Sequence, residues 1–421
     1  MSWPKVVLLL AVLSTGVALL AGFFSRAPAE LRRPPGSESA ADPSLGASFT
    51  EEQVARGAAF RRPGYLAALL GLALRVVTLV ILAKSVWSPL VSSLEASIGS
   101  WALRTLVAGA VIGFVLVAVS IPLGYVRGYA VQHAWELSTQ DFGGWVSDQL
   151  KGAAIAAVTS AIAALVFFAV VRWQPRSWWV WGWAGFTALT AAVFFLWPIV
   201  VAPLFNRFTP LDDAGLTARI RTLGADAGVP VDRVLVADAS RRSTLENAYV
   251  AGLGETKRVV VYDTLLENGD EDQTAFVIAH ELGHQKERHV LKGLGISSAG
   301  FLAAFGLLAW LAGRGPVWEW GGAGGVGDLR SLPVLVLLAT TLTLVAMPIE
   351  AALSRRFERE ADDIAIELTG DPGAAVSAFR RLALNNIADL DPMPLAVAFT
   401  YSHPPIPDRI EAILATTQDR P

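Results

Sequence analysis

Cysteine is absent from this chain of 421 residues, charged residues make up only 17% of it, and histidine occurs five times. Without cysteine the chain can form neither disulfides nor thiolate metal sites, so His, Asp and Glu are its only strong metal ligands. The net charge of −3 is close to balance. No nucleic-acid partner is therefore expected, because such partners require a large positive surface.

Apolar residues are abundant instead: 53% of the chain is hydrophobic and 14 residues are tryptophan. The mean hydropathy of +0.47 is typical of a membrane protein and not of a soluble domain. Seven apolar runs are long enough to cross about 30 Å of hydrocarbon. They cover residues 6–24, 65–87, 102–125, 152–173, 178–204, 294–311 and 332–353.

The first apolar run has two interpretations. Lys5 precedes it and Ala27-Pro28-Ala29 follows it, which is the arrangement of a secretory signal peptide. The run is long, however, and a single Lys is a weak positive segment. We therefore predict a retained membrane anchor over residues 1–25.

The distribution of positive charge predicts an orientation. Six arginines follow the first run, whereas residues 88–101 contain no Lys or Arg. Positive loops favour the cytoplasmic side. Counting spans from there places residues 127–151, 206–292 and the C-terminal tail on the cytoplasmic face. The six arginines are Arg26, Arg32, Arg33, Arg56, Arg61 and Arg62.

Two features of the N-terminal region carry further predictions. Residues 25–62 are rich in Pro, Gly, Ala and Ser, so a mobile polar loop is expected there. Arg75 and Lys84 fall within or near the second run, where an unpaired charge is costly. We expect Lys84 to extend to the membrane interface, and Arg75 to face either a hydrated cavity or an ion-pair partner.

A metal-binding motif occupies residues 280–284, His-Glu-Leu-Gly-His. On a helix, residues four apart lie about 40° apart around the axis and about 6 Å along it, so His280 and His284 can bind one ion. Zinc accepts imidazole nitrogen and keeps a position open for water in catalytic sites. Glu281 lies beside the metal as the candidate general base. The motif predicts one zinc ion per chain.

The segment before this motif has the pattern of short strands. Residues 233–238 (RVLVAD) and 257–263 (KRVVVYD) are predicted strands, and residues 273–287 form the helix that carries the motif. An edge strand is expected at 247–250. A free sheet edge beside a metal can bind an extended peptide through main-chain hydrogen bonds, which makes Asn247 and Ala248 candidate substrate-binding residues.

A third protein ligand is expected from residues 354–362, SRRFEREAD, because the last two runs form a hairpin that returns the chain to the same face. Glu358 is the candidate ligand. Asp362 lies one helical turn further and can hydrogen-bond a ligating imidazole, which fixes its tautomer.

These motifs together resemble the type I CAAX prenyl endopeptidases, a family of membrane zinc metallopeptidases related to the HtpX-like membrane proteases. The resemblance covers about residues 127–409 and depends on HELGH, SRRFEREAD and the SHPP sequence at 402–405. It extends to PLFNRFTPL at 203–211, NAY at 247–249 and VVVYDTLL at 259–266.

The resemblance implies roles for individual residues. His280, His284 and Glu358 match the zinc ligands, Glu281 the base, Asp362 the carboxylate behind the ligands and Asn247 the edge-strand residue. His403 matches a histidine near the site that could donate to the oxyanion, and Arg409 could anchor the same turn by ion pairing. His133 and His289 lack a match and are interpreted as structural or interfacial.

The predicted fold class is an α-helical multi-pass membrane protein with a small α+β zinc-metallopeptidase domain on the cytoplasmic face. About seven transmembrane helices would enclose the water-filled chamber that the resemblance implies. The expected segments are the anchor at 1–25, a polar loop at 26–63, spans two to five at 64–206, a catalytic segment with the HExxH motif at 207–291, spans six and seven at 292–353, and a catalytic segment with the third ligand at 354–421.

The predicted function is zinc-dependent hydrolysis of peptide bonds by an integral protein of a bacterial cell membrane, with the active site facing the cytoplasm. The substrate is a peptide or protein, either lipidated as in CAAX trimming or an unlipidated target of membrane quality control. Two other classes stay open. A site-2-type intramembrane protease would bury the motif in a span, which the polar residues 285–288 argue against. A transporter or scaffold with a structural zinc would need a fourth protein ligand.

Overall fold

A computed structural model describes residues 2–32, 46–252 and 257–418, and most of these residues are helical. Four short strands form one sheet: β1 (Phe208–Pro210), β2 (Arg233–Ala237), β3 (Ala248–Ala251) and β4 (Arg258–Tyr262). The helices are α1 (Trp3–Phe24), α2 (Ala29–Arg32), α3 (Glu51–Ile81), α4 (Trp87–Ser97), α5 (Trp101–Tyr125), α6 (Val131–Ala134), α7 (Phe142–Trp173), α8 (Trp178–Leu196), α9 (Ala214–Asp226), α10 (Asp263–Asn268), α11 (Glu271–Lys286), α12 (His289–Ala312), α13 (Gly315–Trp320), α14 (Leu332–Thr369), α15 (Pro372–Asn385), α16 (Pro394–Thr400) and α17 (Ile406–Gln418).

Seven helical segments are long and apolar enough to span a membrane, which confirms the number predicted from sequence. Each contains one of the seven predicted apolar runs or most of it. Three of them include a π-helical turn or continue through one, as at Leu82–Val86 between α3 and α4. The segments are Trp3–Phe24, Glu51–Ser97, Trp101–Ala134, Phe142–Trp173, Trp178–Leu204, His289–Ala312 and Leu329–Thr369.

The predicted polar loop over 25–62 is wrong from residue 51 onward, where α3 begins. Thr50 and Gln53 form a reciprocal capping box, and Glu51 and Glu52 occupy the first turn, where carboxylates are favourable. Arg56 then donates to the carbonyl of Leu384 at 3.2 Å. Local capping and tertiary contacts thus make a helix from a composition typical of loops. Residues 33–45 of the predicted loop lie outside the described residues.

The two cations of the second span are both exposed. Lys84 Nζ lies 4.8 Å from the centre of the Trp320 ring, a cation–π contact close to the end of the span. Arg75 makes no ion pair with any residue that the structure describes. The ion-pair alternative for Arg75 therefore has no support.

The sheet and the helices packed on it, α9, α11, α15 and α17, form the unit that the sequence predicts to be catalytic, called the catalytic unit below. The sheet has the order β1-β2-β4-β3, in which β2 and β4 are parallel and the outer pairs are antiparallel. The two predicted strands are β2 and β4, and the predicted edge strand is β3. One face of the sheet buries Val234, Val259 and Val261 against α9, α11, α15 and α17. At about 1.5–3 kcal/mol for each fully buried aliphatic side chain, this core anchors α11 to the sheet.

Helix α14 joins the membrane domain to the catalytic unit. It runs without a break from Leu332 to Thr369, although Pro348 lies inside it. The expected boundary at 353/354 therefore falls within a continuous helix. Its apolar N-terminal half belongs to a span, whereas Glu358, Asp362 and Ile364 are buried against the catalytic unit. One continuous helix thus extends from a membrane span to Glu358 and Asp362.

Candidate metal centre and active site

Helix α11 presents the motif residues. Asp270 caps its N-terminus by accepting from the Gln273 backbone N–H at 2.7 Å, and Glu271 and Asp272 occupy its first turn. Phe276, Ile278, Ala279 and Leu282 face the core. His280 and His284 lie one turn apart on another face, with side chains only 10% and 20% exposed.

Helix α14 packs closely against α11 at the motif. A Cβ atom at Gly283 would stand 3.1 Å from both the Cα and the carbonyl oxygen of Ala361, so any side chain here would push the two helices apart by a few tenths of an ångström. Glu358 and Asp362, one turn apart on α14, are consequently brought to the two motif histidines. The glycine of the HELGH sequence therefore has a packing role in assembling the site.

Three candidate ligand atoms converge. The His280 Nε2 atom lies 3.2 Å from Glu358 Oε2, and the His284 Nε2 atom lies 3.3 Å from Glu358 Oε1. The two Nε2 atoms are 3.1 Å apart. These three residues form a group whose ligand atoms all lie within 4.8 Å of one another. The predicted pair of imidazoles and the predicted carboxylate are thus placed around one point.

The donor set fits a metal ion. Glu358 Oε2 is buried and accepts no hydrogen bond. Burial lowers the pKa of His280, but the adjacent carboxylates of Asp362 and Glu358 more than offset this and raise it to about 9. A protonated imidazole can pair with the Glu358 carboxylate, whereas a divalent cation can accept a lone pair from all three groups by displacing that proton. No fourth His or carboxylate joins the group among the residues described, as expected for a catalytic and not a structural site.

Asp362 and Arg409 orient His280 from behind. Asp362 Oδ1 lies 2.8 Å from His280 Nδ1, so Nδ1–H donates to the carboxylate and Nε2 points toward Glu358. Arg409 donates from Nε to Asp362 Oδ2 at 2.8 Å and stacks on the Phe379 ring at 4.2 Å. Both side chains are less than 10% exposed. The closer ion pair of Arg409 is therefore with Asp362, and Glu358 Oε2 lies 3.6 Å from Arg409 Nη2, so Arg409 links α17 to the metal site.

Glu281 points into a cavity of about 480 Å³ that lies beside the histidines. Burial raises the pKa of the Glu281 carboxyl, and repulsion by Glu358 adds to this, although the neighbouring histidines act in the opposite direction. A carboxylate with a raised pKa accepts a proton from water more readily. His280, Tyr401 and His403 also line this cavity.

His403 lies beside Glu358, with its Nε2 atom 3.3 Å from Glu358 Oε2. Ser402 Oγ is 2.8 Å from His403 Nδ1, so a hydroxyl donating to Nδ1 leaves a hydrogen on Nε2. The side chain is 57% exposed but lies inside the cleft, and desolvation there lowers the pKa of His403 despite the nearby Glu358. His403 is therefore placed to present a neutral N–H donor.

The edge strand β3 borders the cavity. The Asn247 carbonyl accepts from the Tyr262 N–H at 3.0 Å, so Asn247 faces β4. By the alternation of an antiparallel pair, the N–H and C=O of Ala248 face the free edge. The Ala248 N–H meets the Asn247 side-chain oxygen at 2.9 Å, and the Ala248 side chain is buried. Ala248 can therefore contribute only its backbone to a substrate.

A buried ion pair that sequence reasoning missed supports this strand. Glu246 Oε2 accepts from Arg381 Nε at 3.0 Å, and neither side chain is more than 4% exposed. Asn385 and Gln273 hydrogen-bond to the same pair. The pair fixes Asn247 relative to α11 and α15. In the sequence, the only indication of this ion pair is that Glu246 directly precedes the NAY motif at 247–249.

A second cavity, of about 1840 Å³, lies between the membrane helices and the sheet. Its membrane side is apolar and includes Phe186, Val193 and Trp197. His284 and Val250 line its catalytic side. The free edge of β3, with which no described strand pairs, therefore runs between the cavity that contains Glu281 and a cavity with an apolar membrane side.

The two histidines interpreted as structural or interfacial differ in the structure. His133 bridges the carbonyls of Tyr129 and Gln140, each at 2.8 Å, which agrees with a structural role. His289, by contrast, lies with its Nδ1 atom 2.9 Å from His284 Nδ1. His289 thus contacts a candidate metal ligand, although it matches no motif in the sequence.

Comparisons with known proteins agree with this arrangement. The model of peptidase family M48 matches residues 210–417, and the model of the CAAX prenyl protease N-terminal domain, described as five membrane helices, matches residues 39–207. The "Uncharacterized metalloprotease YhfN" of Bacillus subtilis is 32% identical, over 79% of this chain and 78% of that protein. A "CAAX prenyl protease 1 homolog" of Arabidopsis thaliana is 30% identical, over 70% and 69%. The crystal structure of S. mikatae Ste24p has the same fold, with a TM-score of 0.73, 21% identity and coverage of 98% and 99%.

Proposed function

This chain belongs to peptidase family M48, in the branch with a CAAX prenyl protease membrane domain, and from that premise we propose that it is a zinc-dependent endopeptidase of the membrane. It is an integral multi-pass membrane protein and a metallopeptidase. The observation that carries the proposal is the convergence of His280, His284 and Glu358 next to Glu281. We propose that the metal is zinc and assign a role to each of these residues below.

Zinc is the metal that this donor set favours. Two imidazoles and one carboxylate, with one position open, are typical of catalytic zinc in peptidases. When bound, zinc polarises the scissile carbonyl and lowers the pKa of the attacking water. The site-2-type alternative has no support, because α11 is not one of the seven membrane-spanning segments.

The residues of the chain supply the proton transfers. Glu281 takes a proton from the attacking water and then delivers it to the nitrogen of the leaving amine, so the carboxylate is regenerated. The His403 Nε2–H donates to the oxygen of the scissile carbonyl as negative charge develops there. Asp362 and Arg409 hold the His280 ring during these steps. No covalent bond to the enzyme is formed.

The extended substrate pairs with the free edge of β3. The Ala248 backbone provides main-chain hydrogen bonds, and the exposed Asn247 amide contacts the peptide beside the scissile bond. This edge separates the cavity that contains Glu281 from the larger cavity that reaches His284 and has an apolar membrane side. A substrate bound there can place its scissile bond beside Glu281 and an apolar group against the membrane side of the larger cavity.

We propose that the apolar group is a lipid attached to the substrate. The cavity of about 1840 Å³ is lined on its membrane side by apolar side chains, and the Arabidopsis relative is named as a CAAX prenyl protease homolog. Quality control of unlipidated membrane proteins is the second candidate.

Lipid recognition can be tested with matched peptides. A farnesylated CAAX peptide should be cleaved with a kcat/KM at least about tenfold above that of the unmodified peptide. Burying a methylene contributes about 0.8 kcal/mol, so two methylenes of a farnesyl chain account for such a factor. The measurement is turnover by full-length protein in nanodiscs, with Glu281→Gln protein as the background. Equal values for both peptides would contradict lipid recognition and favour quality control, while leaving the peptidase assignment intact.

We also propose that the active site faces the cytoplasm of a bacterial cell. The six arginines between the apolar runs at 6–24 and 65–87, against no Lys or Arg in residues 88–101, support this orientation. Because the chain has no cysteine, a maleimide can react only with the cysteine that a single substitution introduces. In intact cells a membrane-impermeant maleimide should label Gly99→Cys and leave Thr222→Cys unlabelled, both positions being exposed. Labelling of Thr222→Cys before the membrane is broken would reverse the orientation.

A further inference from the structure

His289 contacts a metal-ligand candidate from the side away from the metal. Its Nδ1 atom lies 2.9 Å from His284 Nδ1, and its Nε2 atom lies 3.0 Å from Glu360 Oε2. The His289 side chain is only 4% exposed. Each ring nitrogen of this buried imidazole therefore contacts a polar atom, which a residue that only begins a helix would not require.

The backbone between the two histidines makes this contact possible. In an uninterrupted helix, residues five apart lie about 140° apart around the axis and cannot face each other. Arg288, between α11 and α12, adopts a left-handed conformation with φ of 54°, and the chain turns there. Such a conformation is uncommon for a residue with a side chain, and it costs of order 1 kcal/mol or more. The turn places the His289 ring parallel to Phe357, with ring centres 4.3 Å apart.

The positions of the hydrogens follow from the metal. A neutral His284 that binds a metal through Nε2 must carry its hydrogen on Nδ1. That hydrogen lies between the two Nδ1 atoms, so His284 donates and His289 accepts. His289 must then carry its own hydrogen on Nε2, which faces Glu360 Oε2. One tautomer of each ring satisfies every contact.

Glu360 is itself held in place. Arg356 Nε lies 3.0 Å from Glu360 Oε1, one helical turn away, and Lys292 Nζ lies 3.9 Å from Oε2. Glu287, His289 and Glu360 also lie close enough together to bind a cation. The hydrogen-bond arrangement excludes His289 as a ligand there, because its Nδ1 lone pair accepts from His284 and its Nε2 carries a hydrogen.

We propose that His289 and Glu360 are positioning residues that hold His284 in the tautomer with a free Nε2 lone pair, and thereby set the affinity for zinc. The pair does for His284 what Asp362 does for His280. The inference rests on the proposed function, since it takes His284 as a zinc ligand. It assigns to His289 a role in metal binding that packing alone would not require.

The test measures zinc affinity of the full-length protein by competition with a chelator. His289→Leu removes the acceptor for His284 and should weaken zinc binding by about 10–100-fold, the usual effect of losing an outer hydrogen-bond partner. His289→Asn keeps an oxygen acceptor near the Nδ1 position and should recover most of the affinity. Equal losses in Leu and Asn proteins, or no loss in either, would contradict the proposal.

A second pair of variants covers the case in which His289→Leu protein does not fold. Glu360→Gln keeps an acceptor for the His289 Nε2–H, whereas Glu360→Ala does not, so only the Ala protein should lose zinc affinity. Unchanged affinity in Glu360→Ala protein would overturn the role of Glu360. Wild-type protein that binds no zinc would instead defeat the proposed function, which distinguishes the two failures.

A spectroscopic signature is also accessible, because the chain contains only five histidines. In zinc-loaded protein with 15N-labelled histidine, His289 should show a protonated Nε2 and an unprotonated Nδ1. The signals are assigned by their loss in His289→Asn protein. Protonation at Nδ1 of His289 would reverse the direction of the hydrogen bond and contradict the proposed tautomer.

Discussion

Glu281→Gln protein is expected to cleave peptide about 10³-fold more slowly than wild type, while retaining its zinc. General acid–base groups contribute about 10²–10⁴-fold, and Glu281 is the group that both takes and returns the proton. Gln has nearly the same shape but cannot accept a proton at neutral pH. Because Glu281 is outside the group of three converging ligands, its replacement leaves them unchanged.

The measurement combines single-turnover cleavage of a fluorogenic peptide with zinc content. Glu267→Gln is the matched control, because Glu267 is exposed on α10 and the chemical change is the same. Its activity should equal that of wild type. Wild-type turnover in Glu281→Gln protein would remove Glu281 from the mechanism, and loss of zinc from it would indicate that Glu281 is a ligand.

Glu358→Ala protein is expected to lose both zinc and activity. Losing an outer hydrogen-bond partner of a ligand already costs about 10–100-fold in affinity, so losing the ligand itself should cost at least about 100-fold. The substitution also leaves the two Nε2 atoms 3.1 Å apart and removes the carboxylate that contacts both of them. Activity should return only incompletely when zinc is supplied in excess.

Glu367→Ala provides the comparison for that experiment. Glu367 lies on the same helix, is exposed, and is outside the metal group. Zinc affinity measured by chelator competition should be unchanged in it. A Glu358→Ala protein that holds one zinc ion with wild-type affinity would show that the third ligand is another residue.

Much of the fold could be predicted because the bilayer and the zinc ion impose simple rules. Span length follows from hydrocarbon thickness, which explains why all seven apolar runs correspond to membrane-length helices. The spacing of His280 and His284 follows from the helical repeat, and the apolar strands at 233–238 and 257–263 follow from their composition. These features depend on short stretches of sequence.

The features that could not be predicted depend on contacts between distant segments. The start of α3 at Glu51 is stabilised by Arg56 on the carbonyl of Leu384, a residue 328 positions away. Strand β1 has only three residues and includes Pro210, so no pattern marks it. His289 reaches His284 only because Arg288 adopts a left-handed conformation, which nothing in an Arg-His pair indicates.

We propose that one zinc ion lies between α11 and α14 and is held by His280, His284 and Glu358. Diffraction at the zinc absorption edge, from crystals of protein purified with its own metal, tests this most directly. We predict a single anomalous peak about 2.0–2.2 Å from both Nε2 atoms and from a Glu358 carboxylate oxygen, with one coordination position open. A peak at any other place, or a Glu358 side chain turned away from an ion closed by four protein ligands, would contradict the account.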